Sequence, residues 1–136
     1  MTGDVTGADY IARIIAALCT RKIGALAHAA GVSPSMADGK QVLDINFTAT
    51  TRLAEKLLPH MAPGGVAILI ASNSGQTIAW PLFDNALKKV SKGGRMLILK
   101  LMLSNSRVAY TMSKRAVQLD AKAMSPAFGK VGARIV

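Results

Sequence analysis

The stretch Pro63-Gly-Gly-Val66-Ala-Ile-Leu-Ile-Ala71-Ser72-Asn-Ser-Gly75 sets six consecutive apolar residues between a glycine turn and a second, polar turn. An unbroken apolar run of this length suits a strand with both faces buried, the pattern of a central strand in a parallel sheet. Immediately upstream, Gln41–Leu58 reads as a helix. Val42, Ile45, Ala49, Leu53 and Leu57 form one apolar stripe, and Leu43, Phe47, Ala54 and Leu58 form another. Two adjacent stripes imply a helix buried on more than one side or used in an interface. Pro59 ends it.

Further upstream, Ile23–His28 is a short apolar run that ends in Ala29-Ala30-Gly31, a buried strand leading into a glycine turn. Before it, Ile11, Ile14, Ile15 and Leu18 recur at helical spacing, with Thr6 and Asp9 placed as a capping box. That predicts a first helix over about Gly7–Thr20, with Cys19 as a buried, reduced thiol in its stripe. Downstream, Pro81–Arg107 mixes apolar and basic residues around Gly93-Gly94. It reads as a solvated flap with some helix, outside the sheet and on the substrate side. A third helix follows over about Val108–Phe128, and Ala133–Val136 closes the chain as a strand.

The order is therefore α-β-α-β-insert-α-β. Strands joined through helices are parallel with right-handed crossovers. The predicted fold class is α/β, a partial doubly wound (Rossmann-like) parallel sheet, in one domain over residues 1–136 with an insertion at 81–107.

Composition narrows the function. The chain has 136 residues and is 51% hydrophobic, enough apolar surface for a packed core rather than a disordered chain. One cysteine and two histidines, His28 and His60, argue against a structural metal site. His28 reads as a hydrogen-bonded strand-end residue rather than a base or ligand. The net charge of +10 is spread along the chain and only 4% of residues are aromatic, which argues against specific nucleic-acid binding. The apolar stretch Ile11–Cys19 is broken by Arg13 and too short to span a membrane, and no basic start marks a signal peptide. A cytoplasmic location is expected.

Tyr110 and Lys114 stand four residues apart at the start of the third helix, on one face. Alone this spacing is weak, with roughly 0.15 chance matches per chain of this composition. Its setting is more specific. Ser72 ends the buried strand, ligands in open α/β sheets bind beyond the carboxyl ends of strands, and the third helix starts over that same end. A serine, a tyrosine and a lysine can thus converge on one crevice. A phenol with a pKa of about 10 is a poor base until a nearby ammonium favours the phenolate. A serine hydroxyl can donate to the oxygen of a carbonyl under reduction. The hydride has to come from a cofactor, since no side chain supplies one.

In these features the sequence resembles the short-chain dehydrogenase/reductase family. The matching stretches are Asp4-Val-Thr6, Ala29-Ala-Gly-Val32, Val42-Leu-Asp-Ile-Asn46, Leu58-Pro-His-Met61, Gly65–Ser72 with Gly75, Tyr110-Thr-Met-Ser-Lys114 and Gly129–Val136. They run in order through the chain from residue 4, apart from the insert. The resemblance implies a catalytic tetrad of Asn46, Ser72, Tyr110 and Lys114. Tyr110 would be the acid/base, Ser72 would hold the substrate oxygen, Lys114 would assist Tyr110 and hold the nicotinamide ribose, and Asn46 would serve a water-linked proton relay. Asp4 and Val5 would meet the adenine, and Ala30 and Gly31 would lie beside its ribose. The family's Asn-Asn-Ala-Gly reads His28-Ala29-Ala30-Gly31 here. The long interval between Ser72 and Tyr110 is similar to that of the hydroxysteroid dehydrogenase/carbonyl reductase subgroup.

The family's glycine-rich pyrophosphate turn belongs before Asp4 and its Pro-Gly beside the nicotinamide belongs after Val136. The expectation is a chain truncated at both ends, lacking the N-terminal βαβ part of the sheet and its C-terminal end, that binds NAD or NADP weakly and turns over carbonyl substrates poorly or not at all. The implied activity is an NAD(P)-dependent interconversion of a ketone or aldehyde with an alcohol, on a small-molecule substrate. The competing reading is a non-catalytic remnant acting as a structural or interaction module through the doubly striped helix. Homo-oligomerisation through the second and third helices is open, with the insert placed to block it. Trp80 is expected near the cleft.

Overall fold

The computed structural model describes residues 3–78, Pro81, Asp84, Asn85, Leu87 and 104–136. Trp80 and most of the 81–107 insert therefore lie outside the described residues, and so does the reading of that insert as a flap. Of its described residues, Pro81, Asp84, Asn85 and Leu87 are helical, and Leu87 is buried in the core.

The first helix, α1 (Tyr10–Leu18), starts later than the capping pattern predicts. Thr6 does not cap it, because its backbone N–H and hydroxyl both donate to the Asp4 carboxylate at 2.8 Å. Asp9 stands at the N-cap without a capping bond and pairs instead with Arg13 at 3.0 Å. Cys19 is exposed, which corrects the expectation of a buried thiol. The helix ends at Leu18, and Cys19 turns away from the apolar stripe at φ 52°.

Strand β1 (Ile23–His28) has the bounds the sequence predicts. The predicted second helix is three pieces: α2 (Gly39–Leu43), a π turn (Asp44–Ala49) and α3 (Thr50–Leu57). Asp38 caps α2 by accepting from the Gln41 N–H at 2.8 Å. Most of both apolar stripes is buried within the chain, with Ile45 and Leu58 half-buried. Val42, Leu43, Phe47 and Ala54 join the main core, while Leu53 and Leu57 pack with Ile11 of α1.

Strand β2 (Met61–Leu69) begins before the glycines, not after them. Pro63-Gly64-Gly65 is a bulge rather than a separating turn, since the register slips between the pairs Ile23–Met61 and Ala25–Val66. The long helix α4 (Ser106–Lys130) is capped by Asn105, whose side chain accepts from the Arg107 and Val108 N–H groups. It leads into β3 (Arg134–Ile135).

The three strands lie in the order β1-β2-β3 and both pairings are parallel. Ala67 and Leu69 of β2 face the core, which they share with Val42 and Phe47 and with Ala116 and Val117 of α4. Phe128, Leu57, Val42 and Val117 are completely buried, each contributing about 1.5–3 kcal/mol by removal from water. Ile68 and Ile70 point to the other face and are 38% and 51% exposed. This is a partial Rossmann-like α/β sheet with its helices on one face among the described residues. None of those helices is long and apolar enough to cross a membrane.

Candidate active site at the carboxyl end of the sheet

Parallel strands present unpaired carbonyls at their carboxyl ends, and the loops that follow them form the rim of a crevice. Lys114 reaches that rim from α4. Its ammonium donates to the Ile70 carbonyl at 2.8 Å, one residue past β2, and the residue is only 6% exposed. Burial pushes the Lys114 pKa below the usual lysine range.

Two other chain segments meet this ammonium. A Cβ on Gly31 would stand 3.6 Å from Lys114 Nζ and 3.1 Å from Asn46 Oδ1, so the absence of a side chain at Gly31 keeps the approach open. Asn46 sits inside the π turn and is 1% exposed. Its amide group holds the backbone of Val32 from both sides: Oδ1 accepts from the Val32 N–H at 2.8 Å and Nδ2 donates to the Val32 carbonyl at 2.9 Å. Asn46, Gly31 and Lys114 are thereby brought together from the π turn, the loop after β1 and α4.

Tyr110 is one helical turn before Lys114 and half-buried, with the ammonium 5.8 Å from its ring centroid. Ser72 is the N-cap of a short 3₁₀ turn (Asn73–Gln76). Its hydroxyl accepts from the Ser74 N–H at 3.3 Å and from the Ser74 hydroxyl at 3.0 Å. The Ser72 carbonyl accepts from the Gln118 amide of α4 at 3.3 Å. Gly75 lets this turn press against α4, because a Cβ there would lie 2.9 Å from the Arg115 nitrogen. The Ser72 turn and the Tyr110–Lys114 helix are thus docked on each other. Among the described residues, no hydrogen bond joins Ser72 to Tyr110 or to Lys114.

Ala30 is exposed beside Gly31. Asp4 and Val5 belong to the segment that precedes α1. Asp4 is exposed and its pKa is lowered by the two Thr6 bonds. The carbonyls of Val5, Thr6 and Gly7 accept from the Arg52 guanidinium of α3, the shortest at 3.0 Å. No hydrogen bond among the described residues links Asp4 or Val5 to Lys114 or Asn46.

The structure also adds residues that the sequence reading passes over. Gln118 lies four residues after Lys114 and extends the Tyr110–Lys114 stripe, a spacing visible in the sequence. Thr50 lies four residues after Asn46, and its hydroxyl is 2.9 Å from Nε2 of the buried His28. Burial, then the nearby Lys114 charge, hold the His28 pKa below its usual value. Arg115 forms a two-point pair with Asp84 of the insert at 2.8 and 2.6 Å, anchoring it beside Lys114. Neither Arg52 nor Arg115 has a spacing signal, because both contacts depend on where a distant loop lies.

No family model matches the chain, and no curated protein matches it in sequence. Solved structures do match. The 3-alpha-hydroxysteroid dehydrogenase from Pseudomonas sp. B-0831, solved in complex with NADH, aligns with a TM-score of 0.77 at 20% identity, over 99% of this chain and 56% of that one. A carbonyl reductase from Pseudomonas aeruginosa PAO1 aligns with a TM-score of 0.64 at 22% identity, over 98% of this chain and 55% of that one. A Serratia marcescens short-chain dehydrogenase/reductase aligns with a TM-score of 0.69 at 17% identity, over 99% and 55%. The chain has the fold of the short-chain dehydrogenase/reductases, over a span of little more than half the length of these structures.

Proposed function

We propose that this chain carries the reaction centre of an NAD(P)-dependent oxidoreductase that interconverts a ketone or aldehyde and the corresponding alcohol. The observation that carries the reading is the buried Lys114 ammonium, held at the carboxyl end of β2 by the Ile70 carbonyl, with Gly31, Asn46 and the Tyr110 ring around it. A lysine is rarely buried without a carboxylate partner unless the site uses it.

These residues fit a nicotinamide cofactor. An ammonium has three donors, and the Ile70 carbonyl takes one of them. Two N–H groups are left for vicinal hydroxyls such as those of a ribose, and Gly31 leaves the space beside them free of a side chain. When bound, the cofactor supplies or accepts the hydride.

In this reading Tyr110 exchanges the proton at the substrate oxygen, with the Lys114 ammonium 5.8 Å from its ring centroid. The Ser72 hydroxyl accepts from Ser74, which leaves its own proton free to donate to the substrate oxygen. Asn46 holds Val32, and so the loop that carries Ala30 and Gly31. A purely structural role for the doubly striped helix has less support, since most of both stripes is taken up inside the chain.

The test is NADH and NADPH oxidation with a panel of cyclic and aromatic ketones, comparing the chain with Tyr110→Phe. The expected result is a loss of about 10²–10⁴-fold in kcat for Tyr110→Phe at unchanged fold. Activity that survives this substitution overturns the mechanism, and no binding of either cofactor overturns the reading as a whole.

A further inference from the structure

His28 ends β1 where the family that the sequence resembles has an asparagine; it is buried, and among the described residues no hydrogen bond joins it to Tyr110 or Ser72. We propose that His28 is a positioning residue, which sets the π turn and through it Asn46, Gly31 and Lys114. The functional part of this inference rests on the oxidoreductase reading; the structural part does not.

The argument begins with a single proton. The Thr50 hydroxyl lies 2.9 Å from His28 Nε2, 3.1 Å from the Asn46 carbonyl and 3.4 Å from the Ile45 carbonyl. A carbonyl can only accept, so the hydroxyl proton goes to the Asn46 side. The hydroxyl then accepts from His28, which requires the proton on Nε2. The bonds run in one direction, His28 Nε2–H to Thr50 Oγ1–H to the Asn46 carbonyl. A neutral ring suits this place, because a charged one would add a second cation beside Lys114 in a buried setting.

The consequence for the site is geometric. A π turn holds one residue more than an α turn, which rotates the flanking helix by about 100° about its axis. The rotation decides whether Asn46 faces the Val32 backbone. With the turn in place, Asn46 clamps Val32 with two hydrogen bonds and stands 3.1 Å from where a Gly31 Cβ would be. The next group in line is Lys114 Nζ, 3.6 Å from that same point. His28 thus ties the end of β1 to the turn whose phase sets the loop beside the ammonium.

The variants are His28→Ala, Thr50→Val, both together, and His28→Gln, whose amide keeps a donor. Thr50→Val preserves shape, so it tests the bond even if His28→Ala does not fold. The readouts are amide exchange of Val32, the ¹⁵N spectrum of the His28 ring, and the dissociation constant for NADH. The wild-type ring should show a protonated Nε2 and a bare Nδ1. Each single variant should speed Val32 exchange and weaken NADH binding about tenfold, with the double variant no worse than either. His28→Gln should restore most of both. Additive effects, unchanged Val32 exchange in Thr50→Val, or a proton on Nδ1 would overturn the proposal. If the wild type binds no NADH, the oxidoreductase reading fails, and Val32 exchange with the ring spectrum still decides the role of His28.

Discussion

Replacing Lys114 with methionine should separate the needs of the fold from the needs of the site. Lys114 is 6% exposed and donates to one carbonyl, and among the described residues no carboxylate pairs with it. Its lowered pKa has one cause, burial, so its surroundings disfavour the charge. Lys114→Met keeps an unbranched chain of similar volume and removes the charge. The loss is one hydrogen bond from a charged donor, about 1.5–3 kcal/mol. The gain is relief from desolvation of an ion, several kcal/mol in a buried place. The Ile70 carbonyl left behind lies just past the strand end on a residue 51% exposed, where water can satisfy it. The balance favours the variant by about 0–2 kcal/mol, a rise of up to roughly 8 °C in Tm. Cofactor binding should move the other way. Loss of two hydrogen bonds to ribose hydroxyls weakens NADH by about 100-fold or more. Urea unfolding and NADH titration on the same samples give both numbers. A variant destabilised by more than about 2 kcal/mol, with NADH affinity intact, would show that Lys114 serves the fold, and would refute the reasoning.

Three further outcomes are expected. Gly75→Ala puts a Cβ 2.9 Å from the Arg115 nitrogen and 3.1 Å from the Lys114 carbonyl carbon, both backbone atoms of α4; urea unfolding should show a loss of about 1–3 kcal/mol. Asp84→Asn leaves the Arg115 guanidinium, with its side chain 15% exposed, without its two-point charge partner; thermal unfolding should show a loss of about 1–3 kcal/mol. The His28 ring takes up protons more readily unfolded than folded, since its folded pKa lies below 6.5. Its contribution to stability is therefore full above about pH 6.5 and is lost as pH falls from there through the folded pKa. The raised pKa of Asp120 acts in the opposite sense at lower pH, so the urea midpoint should be compared between wild type and His28→Asn. The wild type should lose more stability between pH 7.5 and pH 5 (about these bounds) than the variant; equal losses would show that His28 is not the titrating group.

The sequence by itself determined the α/β order, the bounds of β1, the central place of β2 and the helix that carries Tyr110 and Lys114. These follow from apolar periodicity and unbroken apolar runs, which act over a few residues and are local. The i, i+4 rule also reaches Gln118 from Lys114, and Thr50 from Asn46, although neither carries a motif. Cys19 shows the limit of periodicity, because the helix stripe continues on paper past the residue where the backbone leaves it. Only the tertiary structure decided the π turn, the bulge at Pro63–Gly65, and the meeting of Lys114 with Ile70, Gly31 and Asn46. Each of these depends on a hydrogen bond or a close approach between segments far apart in the chain. Such contacts are chosen by how the strand ends, the loop after β1 and α4 pack together, a three-dimensional condition that no local pattern encodes.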